Sequence, residues 1–121
     1  MQVVPQSHKT RVVVDTRQLL SALRLAVFAK ENNFIVCLNI EHDGMSISSS
    51  SAESGKSLST MPIQEMDGPP LEIAFNVHYL TQAIAAAGTE QIAMEFGESH
   101  KPLKLHMGNW IHALMPMHLD D

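Results

Sequence analysis

The chain has 121 residues, 45% of them hydrophobic and 17% charged, enough to bury one core without staples. Its single cysteine excludes an internal disulfide and a cysteine-built zinc site, and no run approaches the ~20 apolar residues of a membrane span. The N-terminus lacks a secretory pattern, so a soluble, cytoplasmic protein with no membrane partner is expected. The net charge of −5 argues against a free-standing nucleic-acid binder, yet residues 1–30 carry five basic side chains against Asp15 alone. That is a balance of +4, against −9 for the remainder, which holds three lysines and twelve acids. Such asymmetry fits one basic face on an acidic body.

In chain order, "VVVDTRQLLSAL" (12–23) comes first. A short apolar run ends in Asp15, a helix-capping residue type, and apolar residues then follow at helical spacing. The spacing predicts a helix over about 16–29, with Leu19, Leu20, Leu23, Ala26 and Val27 on one face. Arg17, Ser21, Arg24 and Phe28 fall on another. "FIVCLNI" (34–40) reads as a strand with Cys37 as a small buried hydrophobe. "HDG" (42–44) signals a hairpin into "MSISS" (45–49), and "KSLSTMPIQ" (56–64) follows a Ser-rich turn. "EMDGPP" (65–70) reads as a joint.

The pattern then starts again. "IAFNVHYLTQAI" (73–84) matches the first stretch at a constant offset of 61, pairing Asp15 with Asn76 and Leu19 with Leu80. A second helix is predicted over about 77–87, closed by Gly88, with Leu80, Ala83, Ile84 and Ala87 inward and His78, Thr81 and Gln82 outward. Strands follow at "QIAMEF" (91–96), "LKLHM" (103–107) and, after a turn at Gly108-Asn109, "WIHALMPMHL" (110–119). Each unit reads β-α-β-β-β, over about 10–64 and 71–119. An α+β class is expected, with two helices packed on one side of antiparallel sheet.

No catalytic pattern stands out. His100, His106, His112 and His118 recur every six residues, but a turn separates the second from the third. No HxH or HExxH accompanies them, so they read as surface or rim residues. There is no GxSxG, and the Gly-Lys-Ser at 55–57 lacks the earlier glycine of a phosphate loop. Neither enzyme, metal nor cofactor is expected.

Three stretches in order, "QVVP" (2–5), "LEIAFNVHYL" (71–80) and "ALMPMHL" (113–119), resemble the third, C-terminal domain of the bacterial sliding clamp, the beta subunit of DNA polymerase III. The resemblance spans nearly the whole chain and makes residues 1–9 look like an inter-domain linker. It implies the DNA-clamp fold in a single clamp-type domain over 1–121, an excised domain or a single-domain relative. It implies a non-catalytic processivity subunit that encircles duplex DNA in a ring of head-to-tail homodimers. The DNA contacts would be loose and sequence-independent. Partners would be the replicative polymerase, clamp loader and repair proteins, docking by glutamine-led apolar peptides.

By motif, the peptide wall would be Gln2, Val3, Phe34, Asn76, Tyr79 and the run Ala113, Leu114, Met115, Pro116, Met117, His118 and Leu119. Methionines suit such a wall because they adapt to several partners, and a proline bends a strand away from its ladder. Arg17, Arg24, His78 and Gln82 would face DNA, and Val27 and Phe28 would stand at the subunit joint. His118 replaces the family's usual arginine, and Asp120-Asp121 extend past its usual end. The alternative is a stand-alone interaction module, a decoy competing for clamp-binding motifs.

Overall fold

The computed structural model describes residues 9–28, 35–51, 55–97 and 101–117; side chains are described at these positions outside 26–28, 49–51 and 55–58. Strand β1 (Thr10–Asp15) leads into helix α1 (Thr16–Phe28), then β2 (Ile35–Glu41), β3 (Gly44–Ser51) and β4 (Gly55–Met61). A short β5 (Glu65–Asp67) precedes β6 (Leu71–Asn76), α2 (Val77–Ala85), β7 (Gln91–Phe96), β8 (Leu103–Met107) and β9 (Trp110–Leu114). The two β-α-β-β-β units thus follow the repeat.

Every strand pair is antiparallel, in two sheets ordered β5-β1-β7-β8-β9 and β4-β3-β2-β6. The units exchange their first strands. β1 pairs along its length with β7 of the second unit, Thr10 opposite Phe96 through Asp15 opposite Gln91. β6 pairs in turn with β2 of the first, Ile35 opposite Asn76 through Ile40 opposite Leu71. Neither sheet is complete within one unit, so the core joins both halves.

One face of each sheet is apolar, and the helices lie on it. α1 packs against α2 and against β1, β3 and β4, while α2 packs against β6 and β9. A single cluster joins Val12, Val36, Leu38, Ile73, Phe75, Met94 and Leu105 to Leu19 and Leu23 of α1 and Leu80 and Ile84 of α2. Alternation along β2 sends Val36, Leu38 and Ile40 inward. Cys37 therefore faces outward and is half-buried, which corrects the core reading drawn from its apolar neighbours.

Both helices start on the expected caps. The backbone N–H of Gln18 donates to Asp15 Oδ2 at 2.9 Å. α2 stops short of the predicted end: the N–H of Ala87 donates to Ile84 O at 3.1 Å, a tightened turn, and Gly88 at φ +70° redirects the chain. The joint at 65–70 contains β5, which pairs with β1 at Arg11, Val12 and Val13. The last strand ends at Leu114 and does not run to 119.

Candidate functional site

Asn76 ends β6 and caps α2. Its backbone is extended (φ −71°, ψ 119°), and its Oδ1 accepts from the N–H groups of His78 at 2.9 Å and Tyr79 at 3.1 Å. Two of the helix's unpaired donors are thereby satisfied, and Tyr79 is held on the first turn, 60% exposed. With the Oδ1 committed to the cap, the Nδ2 group is the side chain's remaining hydrogen-bonding group. Removing the cap should cost about 1 kcal/mol: Asn76→Ala is expected to shift the denaturant midpoint by that amount with an unchanged slope.

The C-terminal segment arrives from the other sheet. β9 is the edge of its sheet, and beyond Leu114 the chain leaves the ladder through Met115 and Pro116. The N–H of Met117 then donates to Ala74 O on β6 at 2.8 Å. Met115, Pro116 and Met117 therefore span from one sheet to the other, landing two residues before Asn76. Met115 is 60% exposed and Met117 36% exposed, so the strap leaves apolar side chains open beside the start of α2. Pro116 has no N–H to leave unpaired at the crossing.

Tyr79 and Leu114 also belong to a groove of about 630 Å³ between α2 and β9. Its floor is Ala83, Ala86 and Ala87 with Met107; Gln82, Trp110 and His112 complete it. None of these residues carries a formal charge at neutral pH, and the polar groups are the Tyr79 hydroxyl, the Gln82 amide and the His112 imidazole.

The predicted residues are thus gathered in part. Asn76, Tyr79, Met115, Pro116 and Met117 lie along one joint between the sheets. The expected continuous wall from Ala113 is split by strand alternation. Leu114 lines the groove with Trp110 and His112, whereas Ala113, opposite Lys104, points to the other face. Gln2, Val3, Phe34, His118 and Leu119 lie outside the described residues, as do the side chains of Val27 and Phe28. Arg17, Arg24, His78 and Gln82 are all exposed. Arg17 lines a cleft between α1 and β4, while Gln82 lies on the opposite flank of the helix pair, in the α2–β9 groove.

Trp110 and His112 escaped the sequence reading because β9 is apolar on both faces, so alternation does not say which face meets the helix. Of the histidines, His106 is half-buried on the outer sheet face, its Nε2 3.0 Å from Glu95 Oε1; Arg11 Nε approaches the other oxygen at 3.6 Å. Among the described residues no group of three or more His, Cys, Asp or Glu is placed to hold a metal. No described helix is long and apolar enough to cross a membrane.

Residues 1–117 match the family model described as DNA polymerase III beta subunit, C-terminal domain. The beta sliding clamp of Synechococcus elongatus is 33% identical over 107 residues, covering 86% of this chain and 28% of its own. That of Bacillus subtilis is 27% identical over 110 residues, covering 88% and 29%. The beta subunit structure from Thermotoga maritima superposes with a TM-score of 0.87 at 28% identity, over 98% of this chain and 33% of that one. A Pseudomonas aeruginosa sliding clamp bound to griselimycin gives 0.85 at 26% identity, over 97% and 32%. The chain spans less than a third of the length of these curated relatives.

Proposed function

Since the chain belongs to the family of the DNA polymerase III beta subunit, C-terminal domain, we propose that it works as a sliding-clamp domain in DNA replication. It docks short, glutamine-led apolar peptides of the replicative polymerase, the clamp loader and repair proteins. It catalyses nothing itself; it holds the polymerase near the primer at high effective concentration, in the cytoplasm. Encirclement of duplex DNA belongs to the assembled ring, a head-to-tail dimer of longer subunits. In that ring Arg17 and Arg24 make loose, salt-sensitive phosphate contacts.

The observation that carries this reading is the Met117–Ala74 tie, which sets a Met-Pro-Met strap beside Asn76 and Tyr79. An apolar peptide side chain gains by covering Met115 and the Tyr79 ring, and the Asn76 Nδ2 group donates to a peptide carbonyl. Titration with such a peptide, followed by NMR, should shift Tyr79, Met115 and Met117 and leave the outward face at Cys37 and Ser46 unmoved. Absence of shifts at Tyr79 and Met115 would sink the proposal. Asn76→Asp separates the two jobs of that side chain. A carboxylate still caps the helix, so stability should hold, while loss of the amide donor should weaken peptide binding about 2–10-fold.

A further inference from the structure

Eight methionines occur in the chain, and the fold treats them unequally. Met45, Met61, Met94 and Met107 are buried in the core cluster, and Met66 is half-buried against it. Among the described residues the exposed methionines are Met115 and Met117, on either side of Pro116 in the strap. Neither belongs to the core cluster. The bond that ties the strap to β6, from the Met117 N–H to Ala74 O, is a backbone bond and uses neither thioether. The one cysteine, Cys37, is half-buried on the outward face of β2. Accessible thioether sulfur is thus concentrated in the strap.

We propose that Met115 and Met117 form a reversible oxidation site, and that oxidation of their thioethers by a hydroperoxide switches peptide docking off. This rests on the reading of the strap as a docking surface and adds its regulation. A side chain that a peptide can cover is one that a smaller hydroperoxide can reach. That access persists whatever further chain stands beside the strap, since the peptide must still enter.

In the chemical step a sulfur lone pair attacks the terminal peroxide oxygen, a sulfur–oxygen bond forms and the O–O bond breaks. The sulfur is oxidised by two electrons and the peroxide is reduced. The hydroxide or alkoxide that leaves takes the proton of the transferred oxygen and departs as water or an alcohol. The product is a sulfoxide, which is polar and chiral where the thioether was flexible and apolar. An apolar peptide side chain laid over it strands a hydrogen-bond acceptor without a donor. The backbone tie to Ala74 is untouched, so docking is lost without unfolding the domain.

The full chain is treated with hydrogen peroxide and digested, and the gain of one oxygen per methionine is followed by mass spectrometry. Met115 and Met117 should be oxidised before Met45, Met61, Met94 and Met107, with the thermal midpoint unmoved. A saturating glutamine-led apolar peptide, itself free of methionine and cysteine, should slow oxidation of both. Calorimetric titration of the oxidised chain with that peptide should show affinity lowered roughly tenfold or more. Methionine sulfoxide reductases acting on both epimers should restore it. Cys37→Ser should respond as the parent chain does. The double variant Met115→Leu plus Met117→Leu should show no loss on oxidation relative to its own untreated form. Oxidation of the buried methionines at the same rate overturns the proposal. So does full affinity once both sulfurs carry oxygen, or a loss that disappears in Cys37→Ser. An untreated chain that fails to bind the peptide overturns instead the docking reading on which the switch rests.

Discussion

Gly68→Ala is expected to lower the thermal unfolding midpoint by about 10–20 °C. Gly68 sits at φ +113°, a backbone region that L side chains rarely adopt. A Cβ built there falls 2.2 Å from Lys9 O and 2.7 Å from Thr10 Cα, both backbone atoms. Neither is free to retreat. The Lys9 N–H donates to Phe96 O at 2.7 Å, and Thr10, 1% exposed, donates its hydroxyl to Pro69 O at 2.7 Å. The chain after β5 is thereby clamped onto the start of β1, the strand that joins the two units. Strain at the special backbone and overpacking each cost about 1–3 kcal/mol, a large part of the 5–15 kcal/mol that holds a domain of this size together. Gly88→Ala supplies the contrast. Gly88 also has a left-handed backbone, at φ +70°, but a Cβ there meets nothing within 4 Å, so only about 1 kcal/mol is at stake. Calorimetry that finds the two variants equally stable would show that the close approach to Lys9 and Thr10 does not matter.

The difference between these glycines marks what could be read without coordinates. The repeat was legible because both signals in it are local: an apolar run followed by a capping residue, Asp15 or Asn76, and then helical spacing. Both caps stand as expected. The exchange of β1 and β6 between sheets was not legible, since the alternation of Val12 and Val14 suits any sheet that buries one face. β5 was hidden because Met66 is its one apolar residue and its pairing partner lies more than fifty residues away. Pro116 pointed to a bend in the last strand but not to its end at Leu114, and the landing on Ala74 depends on the second sheet lying alongside. The groove was the least legible part. Gln82 was set facing DNA by resemblance, and nothing in the sequence pattern said that it also lines the groove between α2 and β9.

The double variant Met115→Ala plus Met117→Ala is expected to weaken binding of a glutamine-led apolar peptide by roughly 30-fold or more while leaving the fold intact, because each truncated side chain forfeits about 1 kcal/mol or more of partner contact. The fold should tolerate it because Met115 is exposed, Met117 is more than one-third exposed, and neither belongs to the core cluster. Surface changes of this kind cost within about 0.5 kcal/mol of stability. The strap should also stay in place, since alanine at 117 keeps the N–H that bonds Ala74. Met117→Pro tests that separately. It removes the donor, so the strap should detach from β6. If docking needs the strap fixed beside Tyr79, Met117→Pro should lose peptide affinity although Met115 is untouched. If the methionine side chains act as a loose apolar surface, it should bind almost as well as the parent chain. Calorimetric titration of both variants against the Asn76→Asp variant would then divide the affinity among the methionine wall, its placement and the amide donor. Unchanged affinity in the double alanine variant would rule out the Met-Pro-Met strap as the docking surface.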